Sequence, residues 1–152
     1  MSYDAPLSRE DLQDFFAVTD RGLPRVLSAQ GIRLVNGKAR WPVVLRAMGF
    51  DEQRCPDRLD ELMQPLLTAQ KAAPILGVRD SSTVYKWVKG NAPKHLGPMP
   101  KPIRIWNGKK TERDHRWRRA ELEAWICEEA QPVYVRLEPA FGALPGRKGG
   151  AA

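Results

Sequence analysis

The sequence predicts an α+β fold that is mainly helical and is built from two tandem units. Three observations support this prediction. Apolar residues recur at helical spacing in several short stretches, and two Asn-Gly pairs indicate tight hairpins. A seven-residue segment that begins at Ile32 recurs at Ile103 with five identical positions. Each copy follows a predicted helix pair and precedes a tryptophan and a helix. Each unit should therefore contain two helices, a two-stranded hairpin and a closing helix.

Basic residues are concentrated in two blocks on either side of an acidic one. Residues 79–119 hold twelve Lys or Arg against three acids, residues 21–46 hold six and no acid, and residues 51–61 hold five acids against two arginines. Two basic blocks predict two separate electrostatic footprints. The predicted divisions are an N-terminal unit over 8–49, an acidic linker over 50–65, a C-terminal unit over 66–130 and a tail over 131–152, Gly-rich from Gly142.

The overall charge favours a polyanionic partner. The 152 residues carry a net charge of +7 and a pI near 9.7, which suits nucleic acid, although a solvated basic surface is the simpler alternative. The sequence shows no signal peptide and no apolar run near 18 residues. We therefore predict a cytoplasmic, nucleoid-associated protein with no membrane contact.

The two cysteines do not indicate a metal site. Neither Cys55 nor Cys127 has a Cys or His at metal-ligand spacing. Cys127 falls on a helical pattern, so we expect a packed thiol there, while a disulfide to Cys55 stays open for an oxidising compartment. The sequence predicts neither a metal nor a cofactor.

The N-terminal unit begins with two short helices. Residues 1–7 carry little pattern and are expected to fray, and Ser8 can cap the first helix. Gly22 and Pro24 interrupt the second helix, which should start late, at Pro24, and end near Gly31. The candidate DNA contacts on this helix are Arg21 and Arg25.

A hairpin and a third helix complete that unit. The pattern predicts strands over 32–35 and 38–41, joined by the Asn-Gly turn at 36–37. Pro42 suits the first position of a helix that Gly49 stops. The candidate DNA contacts on this hairpin are Lys38 and Arg40.

The C-terminal unit carries the clearest site. Thr68 can cap its first helix, and Ser81 or Ser82 its second, whose core face holds Val84 and Trp87. Hydroxyls and free amides at a helix N-terminus bind phosphate, and side chains one turn further on can reach base edges. An ordinary solvated helix face is the alternative. The candidate DNA contacts here are Arg79, Ser81, Ser82, Thr83, Tyr85, Lys86 and Lys89.

A longer basic hairpin follows this helix pair. One strand begins at Ile103 and the other ends at Trp117. Between them, a cationic ribbon can lie along the minor groove or the backbone, unless it is simply a charged loop. Arg118 and Arg119 either contact phosphate or cap the ribbon. The candidate DNA contacts on the ribbon are Lys109, Lys110, Arg113 and Arg116.

Four stretches resemble the AlpA/excisionase-type proteins of the MerR-like winged-helix superfamily: 66–78, 82–88, 100–104 and 116–126. The resemblance implies two tandem winged helix-turn-helix units, the first of them, over 8–49, a degenerate copy. In the C-terminal unit it implies that the second helix enters the major groove and that the wing reaches the flanking groove. It also implies a small transcriptional regulator or recombination directionality factor of a bacterium, phage or integrated element. The sequence departs from that pattern at Pro74, inside the first helix, at Asp80, an inserted turn residue, and in its longer wing.

Two alternatives to a DNA-binding regulator follow from the same residues. One is a packaging or partner-recruiting module, similar to a small terminase subunit, with residues 133–137 as a strand for self-association. The other is an enzyme, but no catalytic constellation is visible and we predict none. Double-stranded DNA is the predicted partner, with the protein itself, a recombinase or RNA polymerase as further partners.

Overall fold

The computed structural model describes residues 2–106 and 114–137. Within them the protein has seven α-helices and two antiparallel sheets of two strands each. The α+β class and the predominance of helix are thus confirmed. The described residues contain no helix whose length and apolarity would allow it to span a membrane. The second Asn-Gly turn, the three cations of the ribbon tip and the Gly-rich tail lie outside the described residues.

The first two helices begin close to their predicted positions. They are α1, Arg9–Phe16, and α2, Leu23–Gln30. The hydroxyl of Ser8 accepts a hydrogen bond from the Asp11 amide at 3.2 Å, and the Asp11 carboxylate accepts one from the Ser8 amide at 2.9 Å. This reciprocal pair satisfies two amides that the first turn leaves open. No side chain caps α2.

Residues before Ser8 form a strand, so the expectation that they fray was wrong. Strand β1, Pro6–Leu7, pairs antiparallel with β2, Ala39–Arg40. Leu7 has no exposed surface, and burying this side chain offsets the entropy lost when the terminus is ordered.

The first Asn-Gly turn is present, but its ladder is shorter than predicted. Val35 and Lys38 exchange backbone hydrogen bonds of 2.8 and 3.1 Å. Asn36 and Gly37 both have positive φ, as a tight hairpin turn requires. Beyond this pair the returning chain pairs with β1 instead. A third helix, α3, Trp41–Ala47, follows as expected.

The predicted acidic linker is a packed segment. It contains two short 3₁₀ turns and helix α4, Leu59–Met63. Phe50, Cys55 and Leu62 are buried in the first hydrophobic core. The buried carboxylate of Glu52 accepts a hydrogen bond from Arg46 Nε at 2.6 Å. Residues 50–65 therefore belong to the packed N-terminal half and do not form a free linker.

The C-terminal half has the predicted order of elements. Thr68 caps the first helix by accepting from the Lys71 amide, and the helix continues past Pro74. Gly77, at φ +73°, then ends it. The elements are α5, Ala69–Leu76; α6, Ser81–Lys86; β3, Ile103–Arg104; β4, His115–Arg116; and α7, Arg119–Ile126.

Two hydrophobic cores form, and the chain crosses between them. The first contains α1, α2 and α3, and also buries Ile105, which follows β3, and Tyr134, near the C-terminus. The second contains α5, α6 and α7 around Trp117. Because strand β3 leads directly into the first core, the two halves interlock.

The segment 131–137 returns to the N-terminal half. The Leu137 amide donates to the Gly49 carbonyl at 3.0 Å, and the Asp51 amide donates to the Val135 carbonyl at 2.8 Å. Tyr134 is buried, and its hydroxyl lies 3.1 Å from Glu61 Oε1. This stretch, interpreted above as a strand for self-association, is instead paired within its own chain.

The two cysteines differ in burial. Cys127 follows the last turn of α7 and is exposed, whereas Cys55 is buried; both are free thiols. The expected packed thiol at Cys127 was therefore wrong. The apolar stripe of α7 ends one residue earlier, at the partly buried Ile126.

Candidate nucleic-acid interface

The N-terminus of α6 is capped by Asp80. Its carboxylate accepts hydrogen bonds from the Ser82 amide at 3.1 Å, the Thr83 amide at 3.3 Å and the Ser82 hydroxyl at 2.6 Å. The Ser82 hydroxyl is the main cause of the lowered Asp80 pKa, followed by the Thr83 amide. The prediction that Ser81 or Ser82 caps this helix was wrong, because the Asp80 side chain already occupies that position.

This cap changes what the start of α6 can bind. Two of its amides are already paired with a carboxylate, and that carboxylate would repel an incoming phosphate. The free amides expected at the start of α6 are therefore not available. Contact with DNA then depends on side chains beside and along the helix, and not on its first amides.

The outward face of α6 carries such side chains. Ser82 and Lys86 are exposed at i, i+4 spacing, which places them on one face of α6. Lys89 is exposed in the turn that follows the helix, residues 87–91. Arg79 is exposed just before the helix, while Ser81 and Thr83 are partly buried. Among the described residues, Arg79 and Lys86 form no ion pair. We call Arg79, Ser82, Lys86 and Lys89 the α6 face.

The opposite side of α6 fixes the helix against the second core. Val84 has no exposed surface, and Trp87 packs edge-on against Trp125 with the ring centroids 5.7 Å apart. The Trp125 indole donates to the Leu96 carbonyl at 2.9 Å. A buried anchor of this kind holds the exposed face in one orientation.

Tyr85 is not a fully outward residue. It is partly buried against the second core, and its ring centroid lies 6.4 Å from that of His115. Its side chain also lines a shallow cleft with Thr68 and Arg116. Tyr85 therefore borders the α6 face and belongs in part to the packing between α6 and β4.

Arg116 was predicted to contact DNA, and the structure assigns it to the interior. Only 5% of its surface is exposed. Its guanidinium donates to the carbonyl of Phe16 at 2.8 Å and to that of Ala17 at 2.9 Å. Burial lowers its pKa. The side chain joins β4 to the end of α1, so it is not presented at the surface.

The base of the basic hairpin is fixed to the rest of the protein. Arg104 donates to the buried carboxylate of Asp114 at 2.6 Å across the paired strands. The Gln30 amide donates to the carbonyl of Ile105 at 3.1 Å. The hairpin thus leaves from a rigid base, and its predicted contacts Lys109, Lys110 and Arg113 lie outside the described residues.

The candidates in the N-terminal half are exposed, but two of them have partners. The Arg25 guanidinium lies 5.6 Å from the centroid of the Trp106 ring, and Arg40 donates to the Asp4 carbonyl at 2.7 Å. Arg21 and Lys38 are exposed at the start of α2 and in the hairpin turn. The four cations are dispersed over several elements, in contrast to the single face of α6.

Arg118 and Arg119, whose role the sequence left open, differ from each other. Arg119 is exposed and pairs with Glu123 at 3.3 Å on its own helix. Arg118 is 4% exposed. The sequence pattern alone carries no signal that would have separated these two neighbouring arginines, because what distinguishes them is the packing of distant segments.

No family model matches the chain, and comparisons with curated proteins and with solved structures found no match either. Residues 2–106 and 114–137 contain no group of three or more His, Cys, Asp or Glu side chains placed to hold a metal ion. The site must therefore be interpreted from its own geometry.

Proposed function

We propose that the protein binds double-stranded DNA, with residues 66–130 acting as a winged helix-turn-helix. In this proposal α6 enters the major groove and the hairpin after β3 acts as the wing. The observation that carries the proposal is the α6 face. Lys86 projects from α6, with Arg79 just before the helix and Lys89 just after it. The other side of α6 is held by Val84 and Trp87. The net charge of +7 supports an anionic partner.

The order of elements in this half also supports the proposal. Helix α5 and helix α6 are joined by four residues, 77–80, and pack against each other, while α5 also packs against α7. A two-stranded antiparallel hairpin separates α6 from α7. Helix, short turn, helix, hairpin and closing helix is the order of a winged helix-turn-helix, and it also underlies the resemblance to AlpA/excisionase-type proteins.

The N-terminal half serves as a rigid extension of this DNA-binding half. Arg116, Gln30 and Ile105 connect the two halves through hydrogen bonds and through the first core. If the exposed cations of the N-terminal half increase the affinity for DNA, they do so as part of a preorganised surface, because no flexible linker separates the two halves. This replaces the simple picture of two independent modules.

As its biological role we propose a small transcriptional regulator or recombination directionality factor of a bacterium, phage or integrated element. The packaging alternative relied on self-association through residues 133–137. That segment is hydrogen-bonded to residues 49–51 of its own chain, so it offers no support for a self-assembling ring. Light scattering over a range of protein concentrations would show such an assembly directly.

The experiment that tests DNA binding uses the full chain. Fluorescence anisotropy with random duplex should show affinity that falls linearly on a log–log plot as salt increases. Selection from a random duplex pool should then enrich one motif, and protection mapping would locate it at a promoter or beside an attachment site. Absence of salt-dependent duplex binding would reject the proposal, and binding without any enriched motif would reject base reading by α6.

A further inference from the structure

Arg118 is a buried cation whose hydrogen-bonding groups are incompletely satisfied. It is 4% exposed, and its Nε and Nη2 find no hydrogen-bond partner within residues 2–106 and 114–137. The guanidinium lies 4.5 Å from the ring centroid of Phe50 and 5.4 Å from that of Tyr134. Aromatic faces attract the positive charge, but they do not replace the oxygen acceptors that guanidinium N–H groups require.

A second arginine lies beside it. The Arg136 guanidinium is 4.2 Å from the centroid of the same Phe50 ring. Among the described residues, neither Arg118 nor Arg136 forms an ion pair. Glu121 is a nearby acid. Its negative charge attracts the two guanidinium groups, but it is not in hydrogen-bonding contact with either of them. Two positive charges thus share one apolar surface without a direct counter-charge.

Both arginines line an open cavity. Its volume is about 210 Å³, and its walls combine apolar side chains with Gln30 and three arginines, without a carboxylate. The third arginine, Arg104, is already paired with Asp114. A neighbouring cavity of about 480 Å³ shares Arg118 and Arg136 and adds Lys101 and Glu121. We call the two cavities together the seam cleft, since they lie between the N-terminal and C-terminal halves.

We propose that the seam cleft binds a small oxyanion, a phosphate or a carboxylate, held by Arg118 and Arg136. The planar fork of a guanidinium matches two oxygens of such a group, and charge-assisted hydrogen bonds of this type are the strong ones. The smaller cavity has room for about seven waters at roughly 30 Å³ each, which accommodates one oxyanion with some hydration. Burial of the Arg118 guanidinium lowers its pKa, and an anion would offset that effect.

The depth of Arg118 favours a free oxyanion over a phosphate of duplex DNA. A DNA duplex is too wide to enter the cleft, so its phosphates cannot reach a guanidinium that is only 4% exposed. The site is also distinct from the α6 face, so it does not depend on DNA binding. Its occupant would bridge Arg118, which precedes α7, and Arg136 of the returning segment.

The test measures thermal unfolding of the full chain in sodium phosphate and in sodium acetate, each against sodium chloride at equal ionic strength. We expect phosphate or acetate to raise the Tm beyond chloride, with an increment that grows with the logarithm of its concentration. Arg136→Gln, at an exposed position, should need about tenfold more of the anion for the same increment. Arg33→Gln is the matched control, since it removes one exposed arginine elsewhere and should leave the increment unchanged.

Arg118→Leu separates a binding role from a structural one. It removes a buried unpaired charge without removing apolar packing, so it should fold and lose the anion-dependent increment. If this variant does not fold, the comparison of Arg136→Gln with Arg33→Gln still decides the question. No increment in the unmodified protein, or an equal increment in Arg136→Gln, would overturn the proposal. A rise in the Tm with a short DNA duplex, but not with phosphate or acetate, would also overturn it.

Discussion

The guanidinium of Arg116 lies 2.8 Å from the carbonyl oxygen of Phe16, one hundred positions earlier in the chain. A second hydrogen bond, of 2.9 Å, reaches the carbonyl of Ala17. These carbonyls belong to the C-terminal end of α1, where backbone acceptors have no partner within the helix and attract cations. Arg116 therefore ties the basic hairpin of one half to a helix end of the other.

Replacing Arg116 should destabilise the whole protein. In Arg116→Ala the two carbonyls lose their buried donor and a cavity remains, so we expect the free energy of unfolding to fall by about 2–4 kcal/mol. Urea denaturation measures this change. Arg119→Ala is the control, because its exposed ion pair should cost less than about 1 kcal/mol. A stable Arg116→Ala protein with weakened DNA binding would restore Arg116 as a DNA contact.

Ala17 offers a stabilising substitution at the same place. It ends α1 in the left-handed conformation, with φ +56° and ψ +49°, which is strained for any residue with a Cβ. Ala17→Gly should raise the free energy of unfolding by about 0.5–1 kcal/mol. The control Ala29→Gly, at an exposed position inside α2, should lower it by about 0.5–1 kcal/mol. Equal losses in both variants would contradict the conformation found at Ala17.

Tyr3 makes stability sensitive to alkaline pH. Burial and its hydrogen bond to the buried carboxylate of Glu52 raise the Tyr3 pKa from 10.0 to about 12. Because the folded state favours the neutral phenol, its contribution is complete below pH 10 and is lost as pH rises towards 12. Tyr3→Phe should be less stable at neutral pH and lose stability less steeply over that window. If the free energy of unfolding fell equally steeply with pH in both proteins between pH 10 and 12, the raised Tyr3 pKa would be contradicted.

Lys86 is the residue of the α6 face best placed to read a base. Lys86→Ala should weaken binding to the selected DNA motif by about 1–3 kcal/mol and binding to random duplex much less. Fluorescence anisotropy on both duplexes measures the difference. Lys94→Ala is the matched control, since Lys94 is exposed in a turn outside α6 and does not line the seam cleft. Unchanged affinity in Lys86→Ala would remove it from the reading set.

The ribbon tip should contribute charge without sequence preference. If Lys109 and Lys110 each neutralise one phosphate, their joint replacement by Ala should reduce the slope of log affinity against log salt by about 2. The measurement is a salt titration with random duplex, and Lys94→Ala again serves as the control. A slope equal to that of the unmodified protein would show that these lysines do not contact the backbone.

Helix caps and tight turns could be predicted from neighbouring residues. The caps at Ser8 and Thr68 and the turn at Asn36-Gly37 depend on hydrogen bonds and dihedral preferences within a few residues, and each was predicted correctly. The cap at Asp80 is equally local. It was missed because the residue was interpreted as an insertion, although an Asp before a Ser-Ser-Thr run is a favourable cap in its own right.

The roles of the three arginines at positions 116, 118 and 119 could not be predicted from their neighbours in the chain. Arg116 and Arg118 are interior and Arg119 is exposed, yet all three occur within four positions of the chain. Their positions depend on Phe16, Phe50 and Tyr134, which no local pattern connects to them. Burial of a charge depends on which carbonyls and rings fold around it, and that is a property of long-range packing, whereas helical spacing is a property of neighbours.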